Sequence, residues 1–106
     1  MSGPYRSVFR DGLFAGRVVM VTGGGSGIGR CTAHELARLG AMVVLVGRNP
    51  EKLQATAIEI ADDGGRASFH VCDIRNEDGV KAMVADAVQA HGRIDALVNN
   101  AGGQYI

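Results

Sequence analysis

The sequence predicts an α/β fold in which helices cover a doubly wound parallel sheet, and three observations support that prediction. Short apolar runs rich in β-branched residues recur four times along the 106 residues. Amphipathic segments of helical length separate consecutive runs. Glycines, or an asparagine followed by a proline, stand where these elements begin or end. Because strands that alternate with helices are joined by right-handed crossovers, we expect the N-terminal half of a doubly wound sheet, with the strand order 3-2-1-4.

The first strand and the first helix flank a run of glycines. Arg17 to Thr22 reads RVVMVT, which is typical of a strand buried on both faces. The helix follows from Ile28 to Leu39, and Gly40 stands where a helix end favours a left-handed residue. The apolar residues of this helix recur at helical spacing, so we expect them to face the sheet: Ile28, Cys31, Leu36 and Leu39.

The second strand, Ala41 to Gly47, is again apolar throughout. Asn49 then offers a side-chain N-cap and Pro50 suits the first helical position, so a helix begins there. This helix is expected to end at the pair Gly64–Gly65. Its inward stripe is predicted to contain Leu53, Ala57 and Ile60.

Two more strands enclose the third helix. Arg66 to Cys72 forms the third strand, and Asn76 precedes acidic residues that favour a helix start. Gly92 ends that helix, and Arg93 to Val98 forms the fourth strand. The apolar face of the third helix is predicted to contain Val80, Met83, Val84, Ala87 and Val88.

Bulk properties narrow the classes of partner. The 11 basic and 11 acidic residues balance without a run of like charge, so neither nucleic acid nor a membrane is an expected partner. No apolar run is long enough to span a bilayer and no signal-peptide core is present, so we expect a cytoplasmic location. Residues 1–16 are interpreted as an N-terminal extension, and residues 17–106 as a partial α/β domain.

The cysteines and histidines do not follow a recognised metal-binding pattern. Cys31 and His34 lie one turn apart on a helix, and His70 and Cys72 share a strand face. No further ligand joins either pair at a typical spacing. We interpret both cysteines as reduced, buried thiols and expect no metal.

The segment TGGGSGIG, from Thr22 to Gly29, joins the first strand to the first helix. Glycines there permit a tight turn and close approach of the backbone to a pyrophosphate, and the helix N-terminus attracts an anion. A Walker motif is excluded because Arg30 and Cys31 replace its lysine and its hydroxyl residue. The spacing G-x-G-x-x-G fits in no register. The pattern that fits is T-G-x-x-x-G-x-G, whose glycines are Gly23, Gly27 and Gly29.

This pattern, together with NNAG at Asn99 to Gly102, resembles the short-chain dehydrogenase/reductase family, whose cofactor-binding half is a Rossmann fold. The resemblance covers nearly the whole chain from Phe14 onward. It implies binding of NAD(P)(H) and, in complete members, hydride transfer between nicotinamide and a carbonyl, alcohol or enoyl carbon. It assigns the pyrophosphate to Gly23, Ser26, Gly27, Ile28 and Gly29. It places Asp73 and Ile74 at the adenine, and along the cofactor ribose it places Asn100, Ala101 and Gly102, where the asparagines also tie the central strands together.

The residue after the second strand indicates which nicotinamide cofactor is bound. An NAD site usually has Asp or Glu there to accept hydrogen bonds from the ribose hydroxyls, but this chain has Arg48. A guanidinium suits a phosphate on the adenosine ribose, so NADP(H) is favoured over NAD(H). The alternative is a solvated loop arginine.

The family's catalytic serine and its Tyr-x-x-x-Lys pair are not found, so we assign no catalytic residue. Tyr5 and Tyr105 are the only tyrosines, and neither matches that pattern. We therefore expect the cofactor-binding part of a longer oxidoreductase, inactive alone, and homo-oligomeric with a small-molecule substrate when complete. The alternative is a non-catalytic nucleotide-binding or regulatory module. The sequence resembles two branches of the family equally well. One contains the enoyl-CoA and 2,4-dienoyl-CoA reductases, and the other contains the citronellol or citronellal dehydrogenases.

Overall fold

The computed structural model describes residues 9–25 and 27–100, in which four strands and three helices alternate. In chain order they are β1 Val18–Thr22, α1 Gly27–Arg38, β2 Met42–Gly47, α2 Pro50–Asp62, β3 Arg66–Val71, α3 Glu77–His91 and β4 Ala96–Asn99. Every strand and helix expected from the sequence is present. The largest difference is at β4, which begins at Ala96 and not at Arg93.

The four strands form one parallel sheet in the order β3-β2-β1-β4. This confirms the predicted fold class and strand order. In the register of the sheet, Thr22 lies beside Val46 and Asn99. Gly47 lies beside Val71. The carboxyl ends of all four strands therefore meet at one edge, called the carboxyl edge below, and their amino ends meet at the opposite amino edge.

The two central strands are buried on both faces, as their continuous apolar sequences predicted. On one face, α1 and α2 cover a first cluster that contains Val19, Val21, Ala33, Ala37, Ala41, Val43, Leu45, Leu53 and Ile60. On the other face, α3 covers a second cluster that contains Val18, Met20, Val44, Val46, Met83 and Ala87. This packed middle layer fixes the positions from which the loops of the carboxyl edge start.

The helix α1 packs on the sheet through small residues. Its buried positions recur every fourth residue and are Gly29, Ala33 and Ala37. Ile28 is 75% exposed and Cys31 is also exposed, so the prediction that they face the sheet was wrong. Small side chains let the helix approach the strands closely, and this requirement outweighs the larger apolar residues on neighbouring faces. Leu36 packs against the first cluster and Leu39 is buried, as expected.

Burial on the other two helices follows the predictions more closely. The predicted stripe of α2 is confirmed for Leu53, Ala57 and Ile60. On α3, Met83 and Ala87 are buried as expected, but Val84 and Val88 are 36% and 41% exposed, contrary to the prediction. These two valines flank the line along which α3 meets the sheet. Within the described residues α3 is the only helix that contributes to the second cluster, so no neighbouring helix covers them.

The helix ends match the signals in the sequence. The Asn49 side chain accepts hydrogen bonds from two backbone N–H groups in the first turn of α2, and Asn76 accepts one from Gly79. Gly92 ends α3 in the left-handed conformation, with φ of 83°. The side-chain caps and the left-handed glycine therefore fix where the helices next to the carboxyl-edge loops begin and end.

The segment before β1 is attached to the domain. The N–H of Phe14 donates to the carbonyl of Leu39 at 2.9 Å, and the Phe14 side chain packs against the first cluster. The division of the chain into residues 1–16 and 17–106 stays a prediction.

Candidate functional site

The glycine-rich turn between β1 and α1 lies at the carboxyl edge of the sheet. Gly23 follows β1 with φ of 69°, a left-handed conformation that favours glycine. Its N–H donates to the carbonyl of Val46 at 2.7 Å, which holds the turn against β2. The chain therefore leaves β1 sharply and enters α1 within a few residues.

Two glycines in the first turn of α1 have very different surroundings. A Cβ atom on Gly29 would lie 2.1 Å from the carbonyl oxygen of Gly23 and 2.7 Å from Nδ2 of Asn100. Gly29 is thus required for close packing of the helix start against the turn. Gly27 has φ of 59°, and no described residue beyond its neighbours along the chain and the backbone of its own helix has an atom within 4 Å of the position that its Cβ would take. The outer side of Gly27 is therefore open to a ligand.

The first turn of α1 differs in charge from the first turns of α2 and α3. α2 has Glu51 there and α3 has Glu77 and Asp78, whereas α1 has no acidic residue. The first backbone N–H groups of a helix lack intrahelical acceptors and lie at the positive end of its dipole. An anion such as a pyrophosphate fits this position, because the open side of Gly27 gives it access to those groups.

Thr22 joins the carboxyl ends of β1 and β4. The residue is only 5% exposed. Its Oγ1 lies 3.3 Å from the carbonyl oxygen of Val98 and 3.2 Å from Oδ1 of Asn99, two acceptors to which it can donate. It accepts a hydrogen bond of 2.8 Å from the N–H of Asn100. This bonding fixes the start of the loop after β4 beside the glycine-rich turn.

The loops after β2 and β3 lie side by side farther along the carboxyl edge. The N–H of Cys72 donates to the carbonyl of Gly47 at 2.8 Å, which extends the pairing of the two strands by one residue. Arg48 and Asp73 follow directly on the two loops. Arg48 is exposed, and within the described part of the chain its side chain forms no ion pair or hydrogen bond. Its guanidinium can therefore bind an anionic ligand at this end of the edge.

Arg75 holds the carboxylate of Asp73. Oδ1 accepts hydrogen bonds of 3.0 Å from the backbone N–H and from Nε of Arg75, and Oδ2 accepts one of 2.9 Å from Nη2. These side-chain and backbone hydrogen bonds lower the pKa of Asp73 to about 2, and the charge of Arg48 acts in the same direction. Asp73 is therefore ionised at neutral pH. Ile74, between the two, packs against the second cluster.

Arg30, which follows the glycines, binds α2. Its Nε and Nη2 donate to the two carboxylate oxygens of Glu59 at 2.9 and 2.8 Å, and Nε2 of His34 lies 3.0 Å from the same carboxylate. The hydrogen bond between Arg30 and Glu59 raises the pKa of the guanidinium and lowers the pKa of the carboxyl group. The position where a Walker motif has its lysine is thus occupied by a side chain engaged in the α1–α2 contact.

The structure brings most of the residues expected at the site to one edge. Around the turn lie Gly23, Gly27, Ile28, Gly29 and Asn100, and on the neighbouring loops lie Arg48, Asp73 and Ile74. Three expected residues lie outside the described ones: Ser26, Ala101 and Gly102. Sequence reasoning gave no role to Thr22 or Arg75. The available signals were a hydroxyl at the end of a buried strand and an arginine two residues after an aspartate.

The described residues offer no sign of a metal centre or a membrane span. No three His, Cys, Asp or Glu side chains among them gather in a way that could hold a metal ion. No helix in the same part of the chain is long and apolar enough to cross a lipid bilayer. Cys31 is exposed and Cys72 is half-buried, so the prediction of two buried thiols was wrong. Cys31 lies off the small-residue stripe with which α1 meets the sheet.

The sequence is similar to proteins of one enzyme family. A family model described as short chain dehydrogenase matches residues 17–105. A 3beta-hydroxysteroid dehydrogenase of Mediterraneibacter gnavus is 44% identical over 94 residues, covering 89% of this chain and 34% of that protein. A protein described as a probable 2,4-dienoyl-CoA reductase of Bacillus subtilis is 41% identical over 90 residues, covering 85% of this chain and 35% of that protein. The chain thus spans about a third of the length of these relatives.

Solved structures share the fold. One described as citronellol catabolism dehydrogenase (AtuB) of Pseudomonas aeruginosa PAO1 is 63% identical with a TM-score of 0.88, covering 90% of this chain and 40% of that one. A metagenomic short-chain oxidoreductase in complex with NADP is 46% identical with a TM-score of 0.83, covering 87% and 42%. An NAD+-bound xylitol dehydrogenase is 39% identical with a TM-score of 0.83, covering 87% and 35%.

Proposed function

The chain belongs to the short-chain dehydrogenase family, and from this premise we propose that the carboxyl edge of its sheet binds a nicotinamide dinucleotide. The family resemblance that the two sequence motifs predicted is confirmed. The observation that carries the proposal is the first turn of α1, which is closely packed at Gly29, open at Gly27 and without an acidic residue. When bound, the nicotinamide supplies hydride chemistry, and the residues of this chain bind and orient it.

The proposed contacts involve three parts of the dinucleotide: the pyrophosphate, the adenine and the ribose. The pyrophosphate is assigned to the backbone N–H groups of the glycine-rich turn and the helix start, in the segment with Gly23, Ser26, Gly27, Ile28 and Gly29. The adenine is assigned to the Asp73 carboxylate, which accepts from its amino group, with the Ile74 backbone beside it. The ribose is assigned to the segment that contains Asn100, Ala101 and Gly102. Thr22 supports this last assignment because it fixes the N–H of Asn100 beside the turn.

The proposed preference is for NADP(H) over NAD(H). The exposed guanidinium of Arg48 offers a charge-assisted, bidentate contact to a phosphate on the adenosine ribose. The next side chain, Asn49, already accepts two hydrogen bonds as the cap of α2, so it does not replace the carboxylate of an NAD site. Among the related structures one holds NADP and another holds NAD+, so the preference depends on the residues of this chain.

Titration of the 106-residue chain with NADPH and NADH tests this preference. Arg48→Ala should weaken NADPH binding by about 1.5 to 3 kcal/mol, the loss of one charge-assisted contact, and leave NADH binding nearly unchanged. Arg66→Ala is the matched control, because it removes an exposed arginine at the amino end of β3. Equal weakening of both nucleotides by Arg48→Ala, or tighter binding of NADH by the parent chain, would contradict the assignment.

A pair of glycine substitutions tests the pyrophosphate assignment. Gly27→Val should abolish binding of both nucleotides while leaving the helical content measured by circular dichroism largely intact, since the new side chain occupies the open space. Gly64→Val is the control. Gly64 also has positive φ, 86°, and no described residue beyond its chain neighbours within 4 Å of its Cβ position, but it lies at the end of α2. If Gly27→Val binds as well as Gly64→Val, the turn does not hold the pyrophosphate.

The proposed activity is that of an oxidoreductase that acts on a terpenoid alcohol or the matching aldehyde. The identity of 63% to the structure described as a citronellol catabolism dehydrogenase exceeds the 41% to the protein described as a dienoyl-CoA reductase. The relatives named above are dehydrogenases, reductases or oxidoreductases, which does not favour the alternative of a non-catalytic module. We assign the 106 residues to cofactor binding and expect no turnover from them alone.

A chimera tests the activity. The 106 residues are joined to the remaining part of the Pseudomonas aeruginosa protein, and the chimera is assayed with citronellol and NADP+ and with a 2,4-dienoyl-CoA thioester and NADPH. We expect citronellol oxidation by the chimera and none by the 106 residues. Steady turnover by the 106 residues would contradict their assignment, as would a chimera that binds NADP+ but oxidises no citronellol. Because the grafted part supplies everything except the cofactor-binding residues, the thioester assay is the negative control of the chimera.

A further inference from the structure

We propose that Arg75 determines cofactor specificity as a positioning residue: by engaging the carboxylate of Asp73, it leaves the guanidinium of Arg48 available for a phosphate on the adenosine ribose. The inference rests on the proposed NADP(H) site and adds a residue to which neither the sequence motifs nor the proposed contacts assign a role.

The geometry places one carboxylate beside two arginines. Gly47 and Val71 are register partners at the ends of β2 and β3, and the N–H of Cys72 bonds to the carbonyl of Gly47. Arg48 and Asp73 therefore start their loops next to each other, close enough that the charge of Arg48 contributes to the low pKa of Asp73. The charge of Arg48 therefore acts on a carboxylate that the Arg75 guanidinium binds directly.

In the structure the guanidinium of Arg75, and not that of Arg48, binds the carboxylate of Asp73. Its Nε and Nη2 bind the two oxygens of Asp73 at 3.0 and 2.9 Å, and its backbone N–H binds Oδ1 as well. The backbone bond closes a local turn that orients the carboxylate, so the pair needs little further ordering of side chains. The same carboxylate makes no ion pair with Arg48 in the described residues. An Asp73–Arg48 pair would instead neutralise the cation that a ribose phosphate needs.

Ligands that carry only the adenine end of the cofactor give the sharpest test. The 106-residue chain is titrated by calorimetry with 2′-phospho-ADP-ribose and with ADP-ribose, which differ by one phosphate. The measured quantity is the ratio of their dissociation constants. Arg75→Gln should reduce the preference for the phosphorylated ligand by about fivefold, because the freed carboxylate pairs with Arg48. In the double variant Asp73→Asn/Arg75→Gln both ligands should bind more weakly, because the adenine loses its carboxylate acceptor, but the ratio of their dissociation constants should return to the parental one, because no carboxylate then competes for Arg48.

Two further variants separate positioning from simple loss of charge. Arg75→Lys keeps the charge but loses the planar fork, so its preference should fall between those of the parent and of Arg75→Gln. Arg66→Gln removes an exposed arginine elsewhere and should leave the preference unchanged. An unchanged preference in Arg75→Gln, a parental value in Arg75→Lys or failure of the double variant to restore the preference would overturn the inference. If the parent bound neither ligand, the proposed function itself would fail, and the inference with it.

An independent readout is the titration of Asp73 itself, followed by NMR of its carboxyl carbon. In the parent we expect a pKa of about 2, as the bonds from Arg75 dictate. In Arg75→Gln the pKa should rise toward the ordinary value, which is about 3.9. An unchanged pKa would show that Arg75 does not hold the carboxylate in solution.

Discussion

The two edges of the sheet differ in how their charged side chains are paired: the charges where β1 meets β4 at the amino edge bind one another, whereas at the carboxyl edge Arg75 binds Asp73 and Arg48 pairs with no described residue. At the amino edge, Asp95 accepts a hydrogen bond of 2.8 Å from the N–H of Val18, and its own N–H donates to the Val18 carbonyl. The same carboxylate binds Nε of Arg93 at 2.8 Å and lies 3.6 Å from Nη1 of Arg17. These charges are paired within the protein. At the carboxyl edge, Arg48 has no such partner among the described residues, and the first turn of α1 has no acid.

The difference indicates what each edge contributes. Thr22 joins β1 to β4 at the carboxyl edge and Asp95 joins them at the amino edge. The paired charges of the amino edge add stability alone, whereas the carboxyl edge also leaves donors and a cation for a ligand, as open α/β sheets generally do. Substitutions at the amino edge should therefore lower stability without changing nucleotide affinity. At the carboxyl edge, substitutions of closely packed residues should lower both.

The largest effect is expected for Gly29→Ala. Its Cβ would lie 2.1 Å from a backbone oxygen, so the helix start must shift away from β1. We expect a loss of about 3 kcal/mol in the free energy of unfolding, at the upper end for overpacking, together with loss of NADPH binding. Gly79→Ala is the control, since Gly79 is likewise the third residue of its helix but its Cβ would meet Asn76 at 3.4 Å or more. Urea denaturation should show that Gly79→Ala stabilises the chain by about 0.5 kcal/mol. Similar destabilisation by both would show that Gly29 has no special packing role.

The next effect is expected for Thr22→Val, which keeps the shape but removes the hydroxyl. The N–H of Asn100 then loses its acceptor at the carboxyl edge, and we expect a cost of about 1.5 kcal/mol and weaker NADPH binding. Thr56→Val is the matched control, because Thr56 is 1% exposed and its hydroxyl, among the residues that the structure describes, bonds within α2 alone, to the carbonyl of Lys52. Denaturation and NADPH titration should show a loss of affinity in Thr22→Val alone. Equal affinities in the two variants would mean that the loop after β4 does not depend on Thr22.

The fold could be predicted from the sequence far more completely than the site could. The elements, caps and helix ends follow from apolar periodicity and from Asn49, Asn76 and Gly92, because these signals act locally. The strand order follows from the alternation of strands and helices, which is typical of a doubly wound sheet. The buried face of α1 was misjudged because periodicity favours Ile28, whereas the contact is limited by the space at Gly29. The Asp73–Arg75 pair was missed because the direction of loop side chains has no period.

A change at the amino edge tests the other half of the comparison. Asp95→Asn removes the charge that pairs with Arg93 and Arg17, and should lower the melting temperature by roughly 5 °C at neutral pH. Nucleotide affinity should not change, because the site lies at the opposite edge. A parallel fall in NADPH affinity would show that the two edges are coupled and would break the comparison.

The pH dependence of that difference has a definite sign. The hydrogen bond from Val18, with help from Arg93, lowers the pKa of Asp95 in the folded chain below the unfolded value, which is about 3.9. The carboxylate therefore contributes stability above the unfolded pKa, and the contribution is lost as the pH falls through the folded pKa. Melting temperatures of parent and Asp95→Asn should differ steadily from pH 7 to about 5 and converge below about 4. A difference that did not shrink at all as the pH fell below the unfolded pKa would assign the effect to packing.

The smallest effect is expected for Glu59→Gln, which breaks the pair between α2 and Arg30 in the first turn of α1. Both side chains are substantially exposed, so solvent screens the pair and its loss should cost about 0.5 kcal/mol. Glu77→Gln breaks another exposed pair, with Lys81 on α3, and should cost about as much. Both costs should shrink in about 1 M salt, where the screening length is only about 3 Å.

NADPH affinity tests whether the pair between Arg30 and Glu59 also supports the cofactor site. If it does, Glu59→Gln should bind NADPH more weakly than Glu77→Gln. We expect the two variants to bind NADPH equally well, because the packing of Gly29 and the hydrogen bonds of Gly23 and Thr22 already fix the glycine-rich turn. A selective loss of affinity in Glu59→Gln would mean that the carboxyl edge depends on the α1–α2 contact as well as on its own packing.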